Sequence, residues 1–439
     1  MTDIRWIAYE ALTLADEGKY KSSLTKDLLA KYSYLDRQDR KFLKRLVEGT
    51  IERRITIDHV LDLYSSVPVK KMKKQVRTLL RMGTYQLMFM DGVSDHAAVN
   101  ETVALSKRTN VRALSGFINA ILRAVSKNKD NISYPDRKAD PTGFLSVYYS
   151  CPEWIVKKLV REQGEEKAEI LLRLSVSTRP ITGRINLSKT TPDEVLASCN
   201  AQISDICDCA VVLKDPDIIA DIPAVSAGLI CIQDISSMLV CIAAGIKKTD
   251  TVLDLCASPG GKSMHAADIA TDGKILSYDV SEAKVSKILE NAGRCSFANI
   301  EAHMMDATVY DPALEQSADV VIADVPCSGL GVMGRKNDIK YNITEDSIEE
   351  LVRIQRSILK NAARYVKRGG TLMLCTCTCS ESENAGNFEY LTNELGLKGV
   401  DFYDLLPEKI RSDSAHDGYI QLYGQDMQTD GFFIGKLTK

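Results

Sequence analysis

The sequence predicts a chain in three parts: an all-helical N-terminal domain over 1–130, a small α+β module over 143–245, and a mostly parallel α/β domain over 246–439. Apolar residues recur at helical spacing through roughly the first 127 positions, where strand-like alternation and glycine-rich turns are scarce. A polar run with two prolines then interrupts the pattern at 128–142. From about residue 246 short apolar strands alternate with helical stretches, as in a parallel sheet covered by helices on both faces. A length of 439 residues suits two to four domains at roughly 100–200 residues each.

In the first domain the buried helix faces are marked by Ile7, Leu12 and Leu14, by Leu43, Leu46 and Val47, and by Leu79, Leu80, Met82 and Leu87. Asp36 predicts the N-cap of the helix that carries Leu43, and Pro68 separates two helices, so five to seven helices are expected. In the middle module one helix is predicted over 153–174 and strands over 182–187, 210–213 and 229–233. The last domain is predicted to place strands at 251–256, 274–278, 300–304, 319–323 and 371–377, with helices at 281–294 and 344–366 among the connections.

Composition narrows the class of protein. With 45% hydrophobic and 26% charged residues the chain is neither disordered nor collagen-like. Charges at Asp3, Arg5, Glu10, Asp16 and Glu17 break any signal-peptide core, and the longest apolar run, 239–246, is too short to span a bilayer. A cytoplasmic protein is expected, with its 12 cysteines as thiols. The net charge is −3, but residues 1–130 hold 24 Lys and Arg against 15 Asp and Glu, a local +9 that leaves −12 on the rest. That asymmetry suits a local anionic partner; a solvated helical surface accounts for it equally well.

The chemistry gathers at the ends of the predicted strands. The strand at 251–256 runs straight into Cys256-Ala257-Ser258-Pro259-Gly260-Gly261-Lys262, after which a helix begins. A strand, a glycine loop and a helix form the usual ligand crevice of α/β sheets. A phosphate-cradling loop would need glycine where Cys256 stands, and G-x-G-x-x-G is absent. Asp279 closes the second strand, where a carboxylate can accept both hydroxyls of a ribose. Asp306 follows the third, within reach of an adenine amino group. The fourth strand ends in Asp324-Val-Pro-Cys327, and the fifth in Cys375-Thr-Cys377-Thr-Cys379, followed by Glu383-Asn384. No His lies near that trio and no C-x2-C pair exists, so no metal site is expected.

Together these segments resemble the bacterial 16S ribosomal-RNA cytosine-C5 methyltransferases of the RsmB/Sun/Fmu type, which carry a NusB-like N-terminal domain. The resemblance is carried by Asp254-Leu-Cys-Ala-Ser-Pro-Gly-Gly-Lys262, Asp324-Val-Pro-Cys327, Asp338-Ile-Lys340-Tyr, Thr376-Cys377 with Glu383-Asn384, and Asp430-Gly-Phe-Phe433. In the helical part Arg37-Gln-Asp-Arg40, Ala98-Val-Asn-Glu101 and Gly116-Phe-Ile-Asn119 also match; between the two, Arg184-Ile-Asn186 and Gln233-Asp234 do. It implies a NusB-like RNA-binding domain and a Rossmann-like catalytic domain that uses S-adenosyl-L-methionine. The substrate it implies is 16S ribosomal RNA, free or in a partly assembled small subunit, rather than DNA or a membrane; the family's usual target is cytosine 967, and the enzyme would act as a monomer.

The resemblance also assigns roles. Cys377 would be the nucleophile on cytosine C6, Cys327 would assist product release, and Asp324 would meet the N3/N4 edge. Cys256 to Lys262 would wrap the methionine part of the cofactor, with Asp279 and Asp306 on its ribose and adenine and Asp324 beside them. Thr378-Cys379 forms a second Thr-Cys pair, but the six-residue spacing to Glu383-Asn384 favours Cys377.

Overall fold

The computed structural model describes residues 3–16, 22–214, 222–424 and 428–439. The chain divides into two compact units, Met1–Ser177 with Met333–Asn342, and Thr178–Val332 with Ile343–Lys439. The 143–245 stretch that reads as one module in the sequence is shared between them.

The first unit is helical. Seven α-helices precede residue 129 among the described residues: Ile4–Leu14, Ser22–Lys31, Arg37–Glu52, Arg54–Tyr64, Lys74–Phe89, Asp95–Lys107 and Ser115–Asn128. The Asp36 carboxylate accepts the Asp39 N–H at 2.8 Å and so caps the third helix, and Pro68 lies in the break between the fourth and fifth. Their apolar faces close one core in which Leu43, Leu46, Leu79, Leu80 and Leu122 are fully buried. Three more helices follow, Pro141–Tyr148, Glu153–Gln163 and Glu165–Leu174. The 153–174 stretch is two helices rather than one because Gly164 takes φ +81°, which a helix cannot accommodate. Thr56 donates its hydroxyl to the Val147 carbonyl at 2.5 Å and Ser150 accepts the Ile55 N–H at 3.0 Å, which docks these helices on the bundle. Met333–Asn342 returns to the same unit, where Lys340 donates to the Glu52 carbonyl at 2.8 Å. Burial there lowers the Lys340 ammonium to about 8.

The second unit carries two sheets. In the smaller, β1 (Ile181–Ile185), β2 (Ala201–Ile203), β3 (Ala210–Leu213) and β4 (Ile230–Ile232) are antiparallel in the order β2-β3-β1-β4. The larger contains β5 (Thr251–Asp254), β6 (Lys274–Asp279), β7 (Ile300–Met304), β8 (Ala318–Asp324), β9 (Val366–Thr376), β10 (Lys398–Gly399), β11 (Tyr419–Tyr423) and β12 (Gly431–Thr438). Its order is β10-β12-β9-β8-β5-β6-β7, with β11 paired to β12. Strands β5 to β9 pair in parallel, and β12 is antiparallel to β9. Both faces are buried, and period-two alternation sorts the side chains: Val252, Val320, Ile322 and Met373 join one core, Leu253, Val321, Ala323 and Leu372 the other. Strands β2, β10, β11 and β12 are absent from the sequence reading. Strand β12 is buried at seven successive positions, so its sequence lacks the alternation that marks a half-buried strand. Among the described residues no helix is long and apolar enough to cross a membrane.

One buried ion pair joins the smaller sheet to the larger sheet's covering helix. Arg184 on β1 is fully buried and bonds Asp268, whose carboxylate also accepts the Ser188 N–H at 2.8 Å and the Leu187 N–H at 3.1 Å. Replacing Arg184 by alanine strands a buried carboxylate, so Arg184→Ala is expected to cost about 3–5 kcal/mol. The check is the urea unfolding midpoint, and an unchanged midpoint contradicts the expectation.

Candidate active site

Five strands of the larger sheet end in parallel at one edge, where they deliver expected residues together with Asp254, to which the sequence assigned no role. Asp254, Asp279 and Asp324 are the last residues of β5, β6 and β8; Asp306 lies two residues beyond β7, and Cys377 one beyond β9. Asp324 pairs in register with Cys375, which sets the Cys327 and Cys377 loops side by side.

The loop after β5 turns abruptly. Gly260 takes φ +99°, a conformation that side-chain-bearing residues rarely adopt, and the helix Gly261–Ile269 starts at once. Asp279 braces this loop: one carboxylate oxygen accepts the Ser258 N–H at 3.0 Å and the other the Val280 N–H at 2.7 Å. Asn291 donates to the Pro259 carbonyl at 2.9 Å. Between this loop, β4 and Asp324 lies a cavity of about 200 Å³, lined by Cys256, Ala257, Ser258, Pro259, Gly261 and Lys262 together with Ile232, Gln233, Asp234, Ser237, Asp254 and Asp324. Asp279 and Asp306 do not line it. Asp279 reaches it only through the loop it braces, and Asp306 is exposed, accepting the Thr308 N–H at 2.9 Å in a local turn.

The cavity fits a cationic amino-acid ligand. Two buried acceptors that line it, Gln233 Oε1 and Asp254 Oδ1, have no hydrogen-bond partner. An ammonium group supplies the donors they lack. Asp254 Oδ2 accepts the Ser263 hydroxyl at 2.7 Å, yet burial outweighs that bond and raises the carboxyl to about 6. Lys262 donates to Asp324 at 2.5 Å. Burial works against the Lys262 charge, but Asp324 and its neighbours outweigh it and hold the ammonium above its ordinary value.

The two thiols meet beside this pair. Cys327 Sγ and Cys377 Sγ are 3.2 Å apart, and both are half-buried. The hydrogen bond with Cys377, and then burial, push the Cys327 thiol well above its usual range. Strand β9 stops at Thr376, so the three alternating cysteines part company. Cys375 and Cys379 are fully buried, and burial raises both thiols. Burial likewise raises Cys256. Among the described residues no group of three or more His, Cys, Asp or Glu is arranged to hold a metal ion.

A buried polar net clamps the thiol loops together. Glu383 is fully buried, and its carboxylate accepts the Ser328 N–H at 2.8 Å, the Ser328 hydroxyl at 2.5 Å and the Gln355 amide at 3.0 Å. Ser328 follows Cys327, and its hydroxyl lies 2.7 Å from that of Thr378, which follows Cys377. Asn384 accepts from Thr376 and donates to the Thr378 carbonyl at 2.9 Å. The Gly331 N–H donates to the Cys377 carbonyl at 3.1 Å, and the Gly331 backbone packs so closely on Gly431 that no side chain fits there. The sequence marked Glu383-Asn384 by its spacing and Gln233 only as part of the Gln233-Asp234 match, without a role; Gln233 reaches the cavity from the smaller sheet.

Comparison with known proteins gives matches along the whole chain. Residues 2–127 match the NusB family, and residues 242–438 match the family described as 16S rRNA methyltransferase RsmB/F. The chain is 35% identical over 451 aligned residues to a probable ribosomal RNA small subunit methyltransferase B of Bacillus subtilis (strain 168), covering 100% of this chain and 99% of that one. It is 29% identical to a probable ribosomal RNA small subunit methyltransferase B of Synechocystis sp. over 415 aligned residues, 91% of each chain. In fold it is similar to the crystal structure of PH0851, with a TM-score of 0.79 at 22% identity over 100% of this chain and 99% of that one. It is also similar to NSun6 from Pyrococcus horikoshii with SFG, with a TM-score of 0.57 at 19% identity over 66% of this chain and 98% of that one.

Proposed function

Because the chain belongs to the 16S rRNA methyltransferase RsmB/F family, with a NusB-family region ahead of the catalytic part, we propose that it forms 5-methylcytosine in 16S ribosomal RNA, at the position numbered 967, through a covalent bond between Cys377 and cytosine C6. It is an S-adenosylmethionine-dependent methyltransferase of small-subunit ribosomal RNA. The observation that carries the finer reading is the 3.2 Å approach of Cys327 to Cys377 beside the Lys262–Asp324 pair.

Cytosine C5 is a poor nucleophile until a thiolate adds to C6 and converts the ring to an enamine. Cys377, in hydrogen-bond contact with Cys327 at 3.2 Å, is the group to add. Asp324 meets the N3/N4 edge and accepts from the exocyclic amine, while the Lys262 ammonium offsets charge that builds on the ring. S-adenosylmethionine, when bound, supplies an electrophilic methyl group for C5. The 256–262 loop, Gln233 and Asp254 would hold its amino-acid part. The C5 proton then leaves to water and the C6–sulfur bond breaks. Cys327, protonated, donates to the departing Cys377 sulfur and assists release. A target base must leave its helix to reach this edge, at a cost of a few kcal/mol.

Asp254 makes cofactor binding pH-dependent. Its carboxyl is protonated below about pH 6, and a cationic ligand favours the ionised form. Affinity for S-adenosylmethionine is therefore expected to rise by about tenfold between pH 5 and pH 7, with proton release on binding; Asp254→Asn removes the dependence. Calorimetry in two buffers of different ionisation enthalpy checks it, and a flat profile in the parent protein contradicts it. The test of the function itself is a map of 5-methylcytosine in 16S ribosomal RNA with and without this gene. Loss of the mark at 967 alone supports the reading, and an unchanged map overturns it.

A further inference from the structure

The helical unit contains a second cavity, of about 310 Å³, near the lower end of ligand-site volumes. Its walls are aromatic and cationic. Phe89, Tyr134 and Tyr148 line it together with Arg53 and Arg173; among the described residues no carboxylate lines it, though Glu169 accepts the hydroxyl of the lining Tyr149 at 3.0 Å. Arg53 is fixed, its guanidinium 4.9 Å from the Phe89 ring centroid and donating to the Val176 carbonyl at 2.8 Å. Arg173 is exposed and lies within electrostatic reach of the Glu169 carboxylate. The rings form a ladder: His59 stacks on Tyr134 at 6.1 Å between centroids, and Tyr134 meets the edge of Tyr148 at 5.3 Å. Tyr148, stacked on Phe144 at 5.3 Å and edge-on to Tyr149 at 5.0 Å, leaves 44% of its surface open to solvent.

We propose that this cavity binds single-stranded RNA, an unstacked base lying against Tyr148 and its phosphate between Arg53 and Arg173. Aromatic faces beside guanidinium groups are the chemistry of single-strand recognition: the ring takes any base, and the cations take the backbone. An acidic peptide matches the cations but leaves the open tyrosine face without a planar partner. The inference rests on the reading that RNA is the substrate. It adds a contact on the helical unit that is independent of cofactor.

The test uses the full-length protein and a fluorescein-labelled decauridylate, followed by anisotropy at several salt concentrations. Tyr148→Ala is expected to weaken binding roughly tenfold and Tyr148→Phe to leave it unchanged. Arg173→Ala is expected to reduce the slope of log affinity against log salt by about one. A 4-thiouridine-substituted oligomer is expected to crosslink to peptides holding Tyr134 or Tyr148. Parent-like binding by both alanine variants, displacement of the oligomer by polyglutamate at equal potency, or no binding by the parent protein overturns the proposal. Methyl transfer by the parent protein is read separately: intact, Tyr148-dependent RNA binding without 5-methylcytosine would sink the functional reading and leave this site standing.

Discussion

Cys377→Ala is expected to abolish methyl transfer, a fall of at least about 10⁴-fold in turnover, while leaving the affinity for S-adenosylmethionine within twofold of the parent. The asymmetry follows from placement. Cys377 lies one residue past β9 against Cys327, and it is not among the residues that line the cavity by the 256–262 loop. Without a sulfur to add to C6 the pyrimidine stays aromatic: Cys375 and Cys379 are fully buried and burial raises their thiols, and Cys327, the other thiol at this edge, is raised by its bond to Cys377 and by burial. The paired variant separates the two roles. Cys327→Ala keeps the nucleophile but removes the proton donor to the leaving sulfur, so protein covalently linked to RNA accumulates and survives denaturing electrophoresis. Cys377→Ala gives no such band. A band from Cys377→Ala with none from Cys327→Ala would reverse the assignment.

Glu383→Ala is expected to slow turnover by roughly 100-fold and to destabilise the protein by about 1–3 kcal/mol. The carboxylate touches neither thiol; it is a positioning residue. Its acceptor atoms hold the Ser328 backbone and hydroxyl and the Gln355 amide, and Ser328 in turn meets Thr378. Removing it leaves those buried donors without an acceptor and frees the loop that carries Cys327 from the loop that carries Cys377. A displacement of about 1 Å between reacting groups is enough to cost two orders of magnitude. The KM for S-adenosylmethionine is expected to stay near the parent value, which distinguishes misplaced thiols from a collapsed cofactor site. Glu383→Gln keeps the shape and part of the hydrogen bonding, so it should recover much of the stability. A Glu383→Ala variant with parent-like turnover contradicts the role.

Much of the fold was legible because its signals are local. Helical periodicity located the first bundle, and Asp36 and Pro68 marked helix boundaries within it. Strands β5 to β9 fell within a few residues of expectation because each is a short apolar run followed by a polar turn. The long helix over 153–174 failed at a single glycine, whose backbone state periodicity does not report. Strand β12 failed because a strand buried on both faces carries no alternating pattern, and because its partner β9 lies elsewhere in the chain.

The candidate site divides along the same line. By itself the amino-acid order determined which chemistry was available: the glycine loop, the carboxylates at strand ends and the two cysteine motifs are each contiguous and readable. Tertiary structure alone decided that Cys327 and Cys377, fifty positions apart, share a hydrogen bond, that Gln233 reaches the loop cavity from a different sheet, and that Asp306 stays outside it. The physical reason is that strand ends are encoded by neighbouring residues, whereas the distance between two strand ends is set by sheet order and burial, to which the whole chain contributes.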